Sequence, residues 1–216
     1  MKKKENKTSK QTSESYHHGD LRNMVLLHSE AILEEKGVQA LSLRDVASDL
    51  GVSHSAPYRH FPSKLDLLFA LATRGFSDLR DAMDLAWKEN EGAIPKLNAA
   101  GAAYIHLVLL HPRRTELMFG GEVNCDMEPP DDLQQVGKEA YMGLYRIVEM
   151  GQADNVFRND FTTETLAMSV WSAVHGFAVI NERYWRLTKT EEEREIIQKQ
   201  MNSLLEIVVH GIRINP

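Results

Sequence analysis

A single cysteine, Cys125, is too few for an internal disulfide and leaves no Cys-x-x-Cys pair for zinc or redox chemistry; it reads as a small loop or core residue. Long apolar runs are also missing. The least polar stretches, 99–110 and 170–180, are short, and His106 and His175 interrupt them. Neither reaches the roughly 20 apolar residues that cross a bilayer, so no membrane partner is expected. Lys2, Lys3, Lys4, Lys7 and Lys10 make the N-terminus basic, but no apolar segment follows them to form a secretory signal, and the expected compartment is the cytoplasm. Gly-x-Ser-x-Gly, His-Glu-x-x-His, Walker and Gly-x-Gly-x-x-Gly motifs are absent too, so the usual nucleophile and phosphate-cradling arrangements of enzymes are missing. No cofactor and no metal are expected.

What is present is a chain of 216 residues with 43% hydrophobic content, enough to bury a sizeable core in one large or two small domains. The net charge of -6 conceals an asymmetry. Residues 1–80 hold 12 Lys+Arg against 10 Asp+Glu, whereas the rest of the chain holds 13 against 21. Five of the nine histidines (His17, His18, His28, His54, His60) fall in the front part, where a polyanionic partner would favour their protonation.

Residues 1–15 carry no large apolar side chain and read as a disordered basic arm. From Asp20 to Gly37, Leu21, Val25, His28 and Ile32, with Met24 and Ala31, recur at helical spacing before a glycine stop. Ser42 is placed to cap a helix in which Asp45 takes the capping-box position and Leu43, Val46, Ala47 and Leu50 form one stripe, closed by Gly51. A second short helix is expected from Ser53 or Ser55, the latter favoured as cap because Pro57 belongs in a first turn. Ser63-Lys64-Leu65-Asp66 starts the next helix, with Leu65, Leu68, Phe69 and Ala72 inward. Beyond residue 80 no strand-like alternation persists, and helices are expected near 74–90, 94–111, 131–151, 163–187 and 190–212, with breaks at Gly92, His111-Pro112, 120–130 and Asn159. The fold class is all-α.

Ala47 followed by Gly51, Val52-Ser53 and a second short helix is the spacing of a helix-turn-helix, in which a small residue permits close approach and glycine turns the chain sharply. A helix projecting in this way fits a major groove. No acidic residue lies between Gly51 and Ser63, and Ser53, His54, Ser55, Tyr58, Arg59 and His60 can all hydrogen-bond to phosphates or base edges.

The stretches Tyr16-His-His-Gly-Asp-Leu-Arg22, Leu41-Ser-Leu-Arg-Asp-Val-Ala47 and Gly51-Val-Ser-His-Ser-Ala-Pro-Tyr-Arg-His-Phe-Pro-Ser-Lys64 together resemble the N-terminal DNA-binding domain of the TetR/AcrR family of bacterial transcriptional regulators. Trp171-Ser-Ala-Val-His175-Gly176 resembles the Trp-x-x-x-His-Gly signature of one regulatory-domain subgroup. The resemblance implies a basic arm over 1–15, a three-helix DNA-binding head over 16–70 and a ligand-sensing, dimerising body over 71–216. It further implies a homodimeric, ligand-responsive regulator, a repressor first, on a pseudo-palindromic double-stranded operator. Carried over by position, Ser42 and Arg44 would meet the phosphate backbone. Ser53, His54, Ser55 and Arg59 would face the groove, Ala56 would offer a methyl to thymine, and Tyr58, His60 and Lys64 would meet phosphates. Tyr16, His17 and His18 would reach an adjacent minor groove or the backbone.

For an unknown small-molecule effector, the candidate pocket residues are Tyr104, His106, Phe119, Met142, Arg146, Trp171 and His175, with Met118 and Trp185 beside them. Arg146, next to Tyr145 and near Tyr141, is the candidate anion holder. The implied dimer seam would draw on Ala167, Val170, Val174, Phe177, Leu204, Leu205 and Val208. Two rival readings stand beside this one: a helical adaptor that binds protein through its front domain, and an enzyme using His175 as a base.

Overall fold

The computed structural model describes the backbone of residues 12–119 and 128–214 and the side chains of 21–119 and 128–214; Cys125 and residues 1–11 lie outside them. Among the described residues the chain forms eight α-helices and no strand. It divides into two compact units, residues 1–71 and 72–216.

In the first unit α1 spans Thr12–Lys36, so the backbone is already helical within the stretch expected as an arm; the side chains of Tyr16, His17 and His18 lie outside the described set. Val25, Leu26, Ser29 and Leu33 are the buried face of α1. Met24 is 39% exposed, so the inward stripe is displaced from the one the sequence suggests. The cause is Ser29, a small polar residue seated on the inner face where an apolar side chain marks the stripe elsewhere. Gly37, with φ 81°, ends α1, and a short 3-10 turn over Val38–Ala40 leads to α2 (Leu43–Asp49). The Ser42 hydroxyl accepts from the Asp45 amide, and Gly51 turns the chain at φ 67°.

The helix expected from Ser53 or Ser55 is a tight turn that ends in a 3-10 segment over Pro57–Arg59, entered from Ala56 with no side-chain cap. Pro57 supplies no amide, and the segment closes mostly through i→i−3 bonds such as Ala56 N–H to Ser53 O and His60 N–H to Pro57 O. Phe61, 1% exposed, anchors the turn, with the Arg22 guanidinium 5.1 Å from its ring centroid.

Helix α3 (Lys64–Glu89) opens on a reciprocal cap: Asp66 Oδ2 accepts from the Ser63 amide at 2.8 Å while the Asp66 amide donates to Ser63 Oγ. It is continuous through residue 74, so the two helices expected there are one, running from the first unit into the second. Its buried positions near the start are Leu67, Leu68, Phe69, Leu71 and Ala72, with Leu65 only half-buried.

In the second unit α4 (Ala93–Leu110) packs against α6 (Asp131–Ala153), α7 (Thr163–Leu187) and α8 (Glu191–Ile212). By length and composition α4 alone among the described helices could cross a membrane, but Leu97, Ala100, Ile105 and Val108 are buried within the unit, as a core helix requires. A short helix, α5 (Pro112–Met118), fills the place where only a break was expected, with Pro112 at its first turn. Lys96 is 8% exposed; its ammonium donates to the carbonyls of Trp87 and Asn90 and lies over the Trp87 ring, closing the C-terminal end of α3. Helix α6 ends at Ala153, two residues beyond the expected end, and Asn155 takes φ 54° in the turn that follows. The following segment is tied to the end of α8 by Arg158 N–H to Ile212 O and Ile214 N–H to Val156 O.

Of the positions expected at a dimer seam, Ala167, Val170, Val174 and Leu205 lie inside this unit, at most 7% exposed. The reason is Gly101: a β-carbon there would sit 2.5 Å from Leu205 Cδ2 and 3.6 Å from Val174 Cγ1, so α4 draws those faces of α7 and α8 inward.

Gly151 has the same effect at the far end, where an added β-carbon would lie 2.1 Å from the fully buried Phe157 ring. Gly151→Ala is therefore expected to destabilise the protein by about 1–3 kcal/mol. Denaturant unfolding checks this: an unchanged midpoint would mean that Phe157 has room to move.

Candidate nucleic-acid interface and apolar cavity

Two sites stand out, one in each unit. In the first, Gly51 and the Pro57 turn carry the chain outward so that Ser53, His54, Ser55, Tyr58 and Arg59 are exposed, while Pro57 and Phe61 hold the turn to the core. Ala56 and His60 are half-buried. Arg44 Nε donates to His54 Nδ1 at 2.9 Å, which makes that nitrogen the acceptor and puts the imidazole proton on Nε2. Ser42 uses its hydroxyl as a cap and is half-buried. Lys64 is half-buried and donates to the Val38 carbonyl at 2.6 Å, so it ties α3 to the turn after α1. The exposed cations of this surface are thus Arg59 and Arg44, the latter shared with His54, flanked by hydroxyls and imidazoles. His28 and Asp49, 3.0 Å apart, join α1 to α2 behind it.

The second site is a cavity of about 240 Å³ lined by residues of α3, α4, α6 and α7 and by Phe119. The structure brings Tyr104, Phe119 and Trp171 to its wall, as the sequence suggested. His175 stands just behind them: Tyr104 Oη lies 2.8 Å from His175 Nδ1, and the imidazole centroid is 5.3 Å from the Phe119 ring and 6.2 Å from the Trp171 ring. Trp171 and His175 are four residues apart, hence on one face of α7.

The other candidates go elsewhere. His106 meets Gln198 between α4 and α8 at 3.2 Å. Met142 and Arg146 lie on a charged surface groove between α3 and α6, where Arg146 pairs with Asp84 at 3.1 Å and stacks on Trp87, so it is not an anion holder inside the cavity. Trp185 packs near Arg194, and Met118 is buried against Gly75. His106 and His175 do not meet, and among the described residues no group of three or more His, Cys, Asp or Glu gathers.

Sequence reasoning missed the contributions of Phe76, Leu79 and Met83 from α3 and of Gly137, Ala140 and Leu144 from α6. One signal was available: Ala100-Gly101 and Gly137-x-x-Ala140 put small residues on facing helices about one turn apart, which leaves room between them.

Residues 26–71 match the family described as bacterial regulatory proteins, tetR family, and residues 97–202 match the tetracyclin repressor-like C-terminal domain. The chain belongs to the tetR family of bacterial regulatory proteins. It is similar to an HTH-type transcriptional regulator of Mycobacterium tuberculosis, 29% identical over 134 residues, covering 58% of this chain and 55% of that protein. It also resembles the HTH-type transcriptional repressor KstR of the same organism, 28% identical over 117 residues, 54% of this chain and 53% of that one. The chain spans about half the length of these curated relatives. Among solved structures, a protein of unknown function from Rhodococcus sp. RHA1 superimposes with a TM-score of 0.79 at 28% identity, covering 94% of this chain and 100% of that one. The TetR family is one of regulators rather than enzymes, and the rival reading of His175 as a catalytic base falls with that assignment.

Burial pushes the Tyr104 hydroxyl up to about 12, opposed by hydrogen bonding with Trp171, and burial pushes His175 below its usual value. Both are neutral near pH 7. For His175 the unfolded chain takes up a proton first, so stability is complete above the ordinary imidazole range and falls as pH drops from about 6.5 toward the lowered folded value. The variant His175→Gln should flatten the fall in unfolding midpoint between about pH 6.5 and 5. Identical pH profiles for variant and wild type would remove His175 as its source.

Proposed function

We propose that this chain is a ligand-responsive, sequence-specific DNA-binding regulator of transcription that acts as a repressor in the cytoplasm. The observation that carries the reading is the exposed row Ser53, His54, Ser55, Tyr58 and Arg59 on a core-anchored turn free of acidic side chains. Arg59 and His54 read base edges, with Arg44 holding the imidazole so that its Nε2–H faces outward as a donor; Ser53 and Ser55 add hydrogen bonds and Ala56 a methyl contact. Tyr58 and His60 take phosphates, while the Ser42 hydroxyl and the Lys64 ammonium stay on the Asp45 amide and the Val38 carbonyl. Two copies would place two such rows in successive major grooves about 34–36 Å apart, on a pseudo-palindromic operator.

Of the residues the sequence suggested for the dimer face, Phe177, Leu204 and Val208 keep partial exposure, and the residues left uncovered beside them extend it. On α7, Ile180, Tyr184 and Leu187 are 61–69% exposed, and on α8 Ile207 is 68% exposed. Gly176 and Gly211 have nothing within 4 Å of an added β-carbon, so a second helix can approach both. This also supports reading Trp171-x-x-x-His175-Gly176 as the subgroup signature: its first two residues serve the cavity and its glycine the face between copies. The effector enters the cavity. Because α3 carries both the Ser63–Asp66 cap of the head and Leu79 and Met83 of the cavity wall, a ligand that favours one arrangement of α3 shifts DNA affinity by its differential binding.

Selection of bound duplexes from a random library, followed by anisotropy across a salt series, tests this function. The expected outcome is an inverted repeat bound with a steep salt dependence, and about 10–100-fold weaker binding by Arg59→Ala. Binding of no duplex beyond random DNA would turn the assignment toward the protein-binding adaptor. Sedimentation of Ile207→Glu, expected to shift the protein from dimer to monomer, tests the dimer face separately, and an unchanged dimer would place the seam elsewhere.

A further inference from the structure

We infer that the cavity takes an uncharged, ring-bearing molecule of roughly two fused rings with one hydrogen-bond acceptor, a ketone, lactone or ether oxygen, received by the Tyr141 hydroxyl. This rests on the reading of the cavity as the effector site and names what that site selects.

Size comes first. At about 240 Å³ the cavity is smaller than the ~300–1,000 Å³ typical of pockets for drug-sized ligands, so its occupant is compact. Shape and surface come next. Phe119 packs edge-on to Phe76 at 5.5 Å and lies 5.5 Å from Trp171, whose ring is 6.3 Å from Tyr141. The wall is therefore a set of flat faces and edges in fixed mutual orientation, which suits another ring better than a flexible chain.

Charge excludes most metabolites. None of the described residues lining the cavity is charged. The cationic candidate Arg146 is held outside by Asp84 and Trp87, and His175 is neutral with Nδ1 facing Tyr104 Oη. A carboxylate or phosphate buried here would lose its hydration with no partner to replace it.

One polar group has spare capacity. Tyr104 Oη is engaged with His175 and Trp171, whereas Tyr141 Oη is buried with no hydrogen-bond partner among the described residues. Burial, the charge of Glu164 and Tyr145 all push its pKa up, so it stays an O–H donor, and the negative charge of Glu164 further disfavours an anionic guest. A buried donor without an acceptor is costly, and a ligand oxygen removes that cost.

Three probes of one ring size test the inference by calorimetry on the full chain: acetylnaphthalene, naphthalene and naphthoate. Acetylnaphthalene should bind more tightly than naphthalene, and naphthoate at pH 7.5 about 100-fold or more weaker than acetylnaphthalene. Tyr141→Phe should weaken acetylnaphthalene about tenfold and leave naphthalene unchanged, so that naphthalene reports on the fold of the variant. Naphthoate binding as well as acetylnaphthalene, equal losses for both neutral probes in Tyr141→Phe, or no binding of acetylnaphthalene would each overturn the inference. Acetylnaphthalene bound as expected without any change in affinity for the selected operator would uphold the ligand class and defeat the effector reading.

Discussion

The burial of α4 is the constraint from which the second unit follows. A helix with Leu97, Ala100, Ile105 and Val108 all buried, packed on α6, α7 and α8, leaves little solvent for its polar side chains. Three of them find a partner inside or at the rim, because an unpaired buried polar group costs more than a hydrogen bond returns, whereas Asn98 Oδ1 has none among the described residues. Lys96 satisfies carbonyls at the end of α3, Tyr104 meets His175, and His106 meets Gln198. These three contacts tie α4 to α3, α7 and α8 in turn, so the polar residues of the core helix fix the register that its apolar residues alone would leave loose.

Small residues settle where the packing is tight and where it opens. Gly101 and Gly143 let neighbouring side chains come within 2.6 Å of where a β-carbon would stand, so α4 and α6 seat closely against Leu205 and Met83. At Gly137 the nearest atom to such a carbon is 3.7 Å away, on Phe76. The same residue type thus closes the interior at some levels and leaves a void beside Gly137 and Ala140, where large aromatic rings meet edge to edge instead of interlocking. Among the described residues at its wall, the hydroxyls are those of Tyr104 and Tyr141, which burial keeps protonated.

The helical class, the ends of α7 and the two serine caps were legible because each depends on local chemistry: a 3.6-residue period, a glycine at positive φ, a hydroxyl three residues before a free amide. The second short helix was not, since Pro57 and the preceding turn make a 3-10 segment whose closure depends on Phe61 reaching the core. Helix α5 was hidden by His111-Pro112, which reads equally as a break or as a first turn. In the cavity, aromatic residues of α4 and α7 could be picked out by type, but Met142 and Arg146, equally plausible by type for a soft or an anion-binding wall, face the other way. A one-residue rotation on α6 separates the Tyr141 wall position from Met142 on the outer groove, and composition cannot see it. Likewise Val170 and Val174 looked available for a partner until Gly101 brought α4 against them.

That displacement bears on the proposed dimer. Once Ala167, Val170, Val174 and Leu205 are consumed by the interior, the aliphatic side chains more than half exposed on α7 and α8 are Val179, Ile180, Leu187, Ile196 and Ile207. Exposed leucines and isoleucines scattered singly need no explanation, but these recur near one-turn steps beside Gly176 and Gly211, where the backbone is open to close approach. A solvated surface has no use for glycine in a helix, where it weakens the helix relative to alanine. A helix-to-helix seam does, because the missing β-carbon is what lets two backbones approach. The positions that lose nothing within one chain by being glycine are therefore those at which a second copy would gain, and the interior packing of α4 determines which face is left for it.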